Sequence, residues 1–184
     1  MEKRISILSF AGSLRKQSYN RGLLQAALEA APPHCRLEIF DLAGIPLYNQ
    51  DEEANLPQTV AHFKAKIRAA DAILIATPEY NYSIPGVLKN ALDWGSRPYG
   101  DNSWDNKPVA IMGASPGILG TARAQYHLRQ VFVTLNMHAL NRPELMIASA
   151  QDKFDKNGQL TDPKARQKIG ELLAALVARA SHSQ

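Results

Sequence analysis

A single cysteine in 184 residues rules out an intrachain disulfide, so Cys35 belongs to no covalent scaffold and nothing calls for an oxidising compartment. Long apolar runs are missing as well. The stretch 172–178 is among the longest and falls far short of the roughly 18 residues that a membrane-spanning helix needs. The opening MEKRISILSFAGS has only a short apolar part, broken by Ser6 and Ser9, and reads as a first strand rather than a leader. A soluble, cytoplasmic protein with no membrane partner is the expectation. Charge of one sign is not clustered either: net charge is +4, the basic residues are spread along the chain, and the densest group is Lys164, Arg166 and Lys168. A nucleic-acid groove, which needs grouped Lys and Arg, is not expected. His34, His62, His127, His138 and His182 lack metal-ligand spacing with one another or with Cys35, so no metal site is expected. The Asp-rich stretch 152–162 fails as a calcium loop, because a loop set on Gly158 would begin at Lys153 and end at Lys164. No serine elbow, Cys-x-x-Cys pair or Cys-x5-Arg loop occurs.

What the chain does have is 45% hydrophobic residues, enough for one core, and no composition break, so one domain over 1–184 is expected. Three nearly continuous apolar runs, at 5–11, 72–76 and 109–114, suit strands buried on both faces, the habit of parallel sheets. Weaker strand candidates are 36–42 and 137–140, the latter with a continuation at 145–147. Between them lie helical faces: Leu23, Leu24, Ala27 and Leu28; Val60, Phe63 and Ile67; Ala124, Leu128, Val131 and Leu135. A last helix carries Ile169, Leu172, Leu173, Leu176 and Val177, with Asp162 as N-cap and Pro163 at the first helical position. Alternating strands and helices imply an α/β protein with crossover connections, in which ligands bind at the carboxyl ends of the strands.

The loops after the three strong strands are therefore the place to look for chemistry. The first, Gly12-Ser13-Leu14-Arg15-Lys16-Gln17-Ser18-Tyr19-Asn20, joins a strand to a helix and is rich in anion donors. It lacks both the three-glycine dinucleotide fingerprint and the Gly-Lys-Ser/Thr of a Walker loop, and fits either a monophosphate cradle or a polar turn capped by Ser18. The second, from Thr77 to Gly86, holds Pro78, Pro85, Tyr80, Asn81 and Tyr82, and can either lie along the edge of a flat heteroaromatic ring or simply connect strand to helix. In the third, Ser115, Gly117 and Gly120 bring a hydroxyl and close backbone to the same end of the sheet. The missing acid and base pair is awkward for a hydrolase but not for a flavin enzyme, whose cofactor carries the electrons.

The segments GSLRKQSYN, TPEYNYSIPGVLKNALDW and ASPGILGTARAQYHLRQ, followed by Asn141-Arg142-Pro143-Glu144, resemble the NADPH-dependent FMN reductase family, of the type that reduces quinones and chromate. The resemblance runs over residues 5–144. It implies a flavodoxin-like three-layer sandwich with a five-stranded parallel sheet of order 2-1-3-4-5, and non-covalent FMN. Ser13, Arg15, Ser18 and Asn20, with backbone that includes Tyr19, would hold the phosphate. Pro78, Glu79, Tyr80 and Asn81 would line the isoalloxazine, and Ser115 and Gly117 would meet its pyrimidine side. The implied activity is two-electron, ping-pong transfer from NADPH or NADH to a quinone, free flavin, azo compound or chromate-like acceptor, with no catalytic side chain. Alternatives are a flavodoxin-like one-electron carrier and a non-catalytic FMN-binding regulatory protein. Family members commonly form homodimers or homotetramers, and Arg123, Tyr126 and Glu144 are the interface candidates. Residues 97–106, with Tyr99 and Trp104, match no motif of the family and are expected to form a pocket wall.

Overall fold

The computed structural model describes residues 4–182; the ends of the expected 1–184 domain, 1–3 and 183–184, lie outside the described residues. The elements run β1 (Ile5–Ala11), α1 (Tyr19–Glu29), β2 (Cys35–Phe40), α2 (Gln58–Ala69), β3 (Ala72–Ala76), α3 (Gly86–Ser96), β4 (Pro108–Ala114), α4 (Ala122–Thr134), β5 (His138–Ala139), β6 (Leu145–Ile147) and α5 (Pro163–Ser181). All pairings are parallel, in the order β2-β1-β3-β4-β5, with β6 also on β4. This is the expected flavodoxin-like sandwich.

Strand period two sorts the core into two layers. Ile5, Ile7 and Ala11 of β1 face α1 and α5 with Leu23, Leu24, Leu172 and Leu176, while Leu8 and Phe10 face the other side with Phe63, Ile67, Leu88 and Leu128. Fully burying each large apolar side chain contributes about 1.5–3 kcal/mol. Asp162 caps α5 by accepting the Ala165 N–H at 2.7 Å, and Pro163 opens the helix, as expected. Among the described residues no helix is long and apolar enough to cross a membrane.

Four expectations need correction. The fifth strand position is shared by two short strands: β5 pairs with the start of β4 and β6 with its end. Residues 141–144 leave the ladder between them, and Pro143 there has no N–H to give it. The second strand covers Cys35–Phe40 rather than 36–42, since Asp41 instead receives the Ala43 N–H in a turn. Leu28 is 45% exposed, because the buried face of α1 centres on Asn20, Leu23 and Ala27 and leaves Leu28 past its edge. Residues 97–106 are not a pocket wall. They enter β4 at its N-terminal end, opposite the strand ends where the three loops lie.

Trp104 is fully buried there against Phe10 and Phe63, whereas Tyr99 is exposed. The segment is pinned by Lys64, a buried lysine of α2 whose ammonium donates to the carbonyls of Arg97 and Asp101 and pairs with the Asp101 carboxylate. Burial pulls the Lys64 ammonium down from its usual value, and the Asp101 contacts oppose that pull.

Trp104 also dictates a glycine. Its Nε1 donates to Leu92 O at 3.0 Å, and a Cβ added at Gly95 would stand 2.3 Å from that nitrogen and 2.4 Å from Cε2. Gly95→Ala must displace the indole, and it should lower stability by about 1–3 kcal/mol, read as the shift in a urea unfolding midpoint.

Candidate functional site

The three loops meet in one cleft of about 430 Å³ at the carboxyl ends of β1, β3 and β4, lined by Ser13, Arg15, Ser18, Tyr19, Asn20, Pro78, Glu79, Tyr80, Ala114, Ser115 and Pro116. Of the residues expected at the site, Asn81 and Gly117 stand outside this lining, both exposed.

At one end the first loop folds on itself. Ser13 Oγ accepts the Arg15 N–H at 3.3 Å, Ser18 N–H reaches Arg15 O at 3.1 Å, and the Ser18 hydroxyl caps α1 by accepting the Asn20 N–H at 3.2 Å. Ser13 and Ser18 are buried, and the positive end of α1 opens just behind them. Arg15 is exposed, its guanidinium 5.5 Å from the Tyr19 ring centre, and among the described residues it has no carboxylate partner. Two hydroxyls, an uncommitted guanidinium and a helix N-terminus form a donor set that fits a monophosphate.

Asn20 does different work from that expected. Its Nδ2 donates to Ala114 O and its Oδ1 accepts the Ala114 N–H, each at 3.0 Å, so the carboxamide clamps the first loop to the third instead of reaching for a phosphate.

The second loop forms a tight hairpin. Tyr80 and Ser83 exchange backbone hydrogen bonds at 3.1 and 3.0 Å, and Asn81 and Tyr82 at the tip have φ of 49° and 67°. Positive φ at both central positions is the signature of a type I′ turn. The Glu79 carboxylate turns toward α4 rather than toward a ligand ring, pairing with the Arg123 guanidinium and accepting the Ala124 N–H at 3.1 Å. Arg123 in turn lies 3.6 Å from the centre of the Tyr82 ring. The hydrogen bond that Arg123 donates to Glu79 raises the Arg123 pKa further and keeps the guanidinium charged. A second clasp, His127 Nδ1 to Ser83 Oγ at 3.0 Å, comes from one turn further along α4. The sequence reading missed both clasps. Their only local trace is the four-residue spacing of Arg123 and His127 on one helix face.

Arg123 therefore has a carboxylate partner in its own chain, whereas Tyr126 and Glu144, the other interface candidates, are exposed. In the third loop the Ser115 N–H is spent on Ile147 O at 3.0 Å and Pro116 has none, which leaves later N–H groups as its donors. Among the described residues no cluster of three or more His, Cys, Asp or Glu is placed to hold a metal.

A parallel α/β sheet with a phosphate-type cradle after its first strand and a proline-edged platform beside it defines a mononucleotide-binding protein. The chain belongs to the NADPH-dependent FMN reductase family, whose model matches residues 5–152. It is 55% identical over 177 residues to the NAD(P)H-dependent FMN reductase of Pseudomonas aeruginosa, covering 96% of this chain and 95% of that one. It is 44% identical over 162 residues to the 2-hydroxy-1,4-benzoquinone reductase of a Burkholderia species, with 88% of each covered. Among solved structures it is similar to FerB, the flavoenzyme NAD(P)H:(acceptor) oxidoreductase of Paracoccus denitrificans, with TM-score 0.89, 35% identity, and coverage of 97% and 98%. It is an NAD(P)H-dependent flavin enzyme, with FMN and NAD(P)H as its cofactors.

The cradle fits the phosphate of FMN, and the one carboxylate in the lining is already neutralised by Arg123. Arg15→Ala removes a donor that the cradle's own hydrogen bonds do not need. FMN affinity should fall by about 2 kcal/mol, roughly thirtyfold, while the unfolding midpoint of the apoprotein stays put. Fluorescence titration with FMN measures the first quantity and urea unfolding the second.

Proposed function

We propose that the chain passes two electrons in a ping-pong sequence from NADPH or NADH to a small acceptor, foremost a quinone or a free flavin, with azo compounds and chromate-like oxyanions as further acceptors. The observation that carries this reading is that a phosphate cradle and an open platform share one cleft with no side-chain acid and base pair in it. The lining has no histidine or cysteine, and its single carboxylate is held by Arg123. The chemistry that FMN supplies when bound is hydride acceptance from the nicotinamide and two-electron return to an acceptor.

The chain's own part is placement. Ser13, Arg15, Ser18 and the N-terminus of α1 hold the phosphate end. Pro78 and Tyr80 shape one side of the platform, Ser115 and Pro116 the other, with Asn81 and Gly117 at the rim. Tyr80 is 51% exposed, so the outer face is open to take donor and acceptor in turn, which a ping-pong order requires. The N–H groups of Gly117, Ile118 and Leu119 are preorganised donors for negative charge near the third loop, those of Gly120 and Ala122 being bonded within the chain. Apolar surface around the mouth, including Tyr82 at 68% and Ile118 at 87% exposed, suits flat, poorly hydrated acceptors such as quinones. The name of the Burkholderia relative supports the same substrate class.

Initial rates at several fixed acceptor concentrations should give parallel double-reciprocal lines, and anaerobic NADPH alone should bleach the bound flavin. Intersecting lines would remove the ping-pong order; no bleaching with either nucleotide would favour a one-electron carrier or a regulatory FMN-binding protein.

The proposal includes a homodimer or homotetramer in which Glu144 meets Tyr126 of a neighbouring copy, with Arg123 bridging while it stays bound to Glu79. Symmetry repeats such a contact, so one substitution removes every copy of it. Glu144→Ala should therefore lower the mass seen by light scattering at micromolar concentration; an unchanged mass, or a monomeric parent protein, refutes the assignment.

A further inference from the structure

A second depression opens on the other side of the cradle, and Ser18 lines both. It is a groove of about 630 Å³ between α1 and the turn at residues 157–160. Ser18, Arg21, Gly22, Gln25, Ala26 and Glu29 make its helical wall. Those positions recur every three or four residues and so form one stripe, roughly 16 Å long at 1.5 Å per residue.

The opposite wall is rigid. Phe154 and Leu160 bridge in antiparallel fashion, and Asp155 Oδ1 accepts the N–H groups of Asn157 and Gln159 at 2.9 and 2.8 Å. The walls touch at Gly22, where an added Cβ would come within 2.3 Å of Gly158 O. A groove built this way is preformed, and a ligand need not bear the cost of ordering it.

Its lining is short of partners. Gln17, Gln25, Asn157 and Gln159 are exposed, and among the described residues none of their carboxamides makes a hydrogen bond within the chain. Lys16, Arg21 and Arg166 face a single lining carboxylate, Glu29, which pairs with Arg166. Arg21 is held by Asp41, outside the groove, while Lys16 has no carboxylate partner among the described residues. Cations claim phosphates, and free carboxamides suit the edge of a purine and the hydroxyls of a ribose. Neither feature serves a quinone.

We propose that this groove receives the adenylate half of the nicotinamide donor, whose other half passes over the outside of the FMN-filled cradle into the cleft, and that Lys16 selects the donor that carries a 2′-phosphate. The proposal rests on NAD(P)H being the hydride donor. Lys16 is the cation that a ligand phosphate engages without first breaking an ion pair, and it stands at the end of the groove nearest the cradle.

The test is calorimetric titration of the FMN-loaded protein with adenosine 2′,5′-bisphosphate, 5′-AMP and inorganic phosphate. The bisphosphate should bind more tightly than either of the others. Lys16→Glu should weaken it about tenfold or more and raise the KM for NADPH by a similar factor, well beyond any rise in the KM for NADH. Gln25→Trp, at an exposed helical position, fills the groove and should weaken bisphosphate and raise the KM for both donors; retained FMN absorbance checks that the cradle is intact. The proposal is overturned if bisphosphate binds no better than inorganic phosphate, if Lys16→Glu leaves its Kd unchanged, or if bisphosphate displaces FMN. Failure of the parent protein's flavin to bleach with either nucleotide is a different result: it removes the donor reading itself, since the bisphosphate titration needs no turnover.

Discussion

Beyond Met112 strand β4 loses its neighbour on the β3 side, because β3 ends at Ala76 and the chain turns away at Pro78, and the Asn20 carboxamide fills that gap with the two hydrogen bonds a strand would have made to Ala114. On its other edge Ala114 still pairs with Ile147 of β6. Leaving a buried N–H or C=O unpaired costs about 1–3 kcal/mol, so the side chain is held there strongly. The consequence reaches the whole cleft. α1 starts where β4 ends, and the cradle and the third loop keep a fixed separation. A binding site made of loops thus takes its dimensions from the ladder of the sheet.

Charge is managed differently at the two ends of that sheet. At the carboxyl end Glu79 and Arg123 neutralise each other at the edge of the platform, which leaves the cradle as the positive feature of the cleft. At the other end Lys64 is buried whole, and its ammonium is satisfied by two carbonyls and a carboxylate. Its role there is to hold residues 97–106 over the core. A buried ion kept by several fixed acceptors favours one loop conformation over others, even where its net contribution to stability is small.

The three strong strands were legible because a strand covered on both faces must be almost wholly apolar, as 72–76 and 109–114 are and as 5–11 is but for Ser6 and Ser9. The loops followed from the rule that ligands bind at carboxyl strand ends, and their donor residues are local in sequence. What escaped depends on long-range pairing. An asparagine in a polar loop does not announce that it bonds Ala114, 94 positions away, and nothing local links Glu79 to Arg123. For residues 97–106 connectivity outweighs composition: a segment leading from a helix into a parallel strand lies at the amino end of the sheet, whatever aromatics it carries. Lys64 left a trace too, since it sits between Phe63 and Ile67 on the buried face of α2.

Tyr82 sits at the tip of the hairpin with φ of 67°, a conformation that glycine adopts freely and that costs another residue about 1 kcal/mol. Asn-Gly would form the same turn more cheaply. The extra expense has one visible return, the ring lying over Arg123. A selection scheme that rewarded thermal resistance alone would therefore drift toward glycine at this position, stripping the cover from the guanidinium. Breeding this protein for hardiness alone would thus exchange the ring's contact with Arg123 for a cheaper turn.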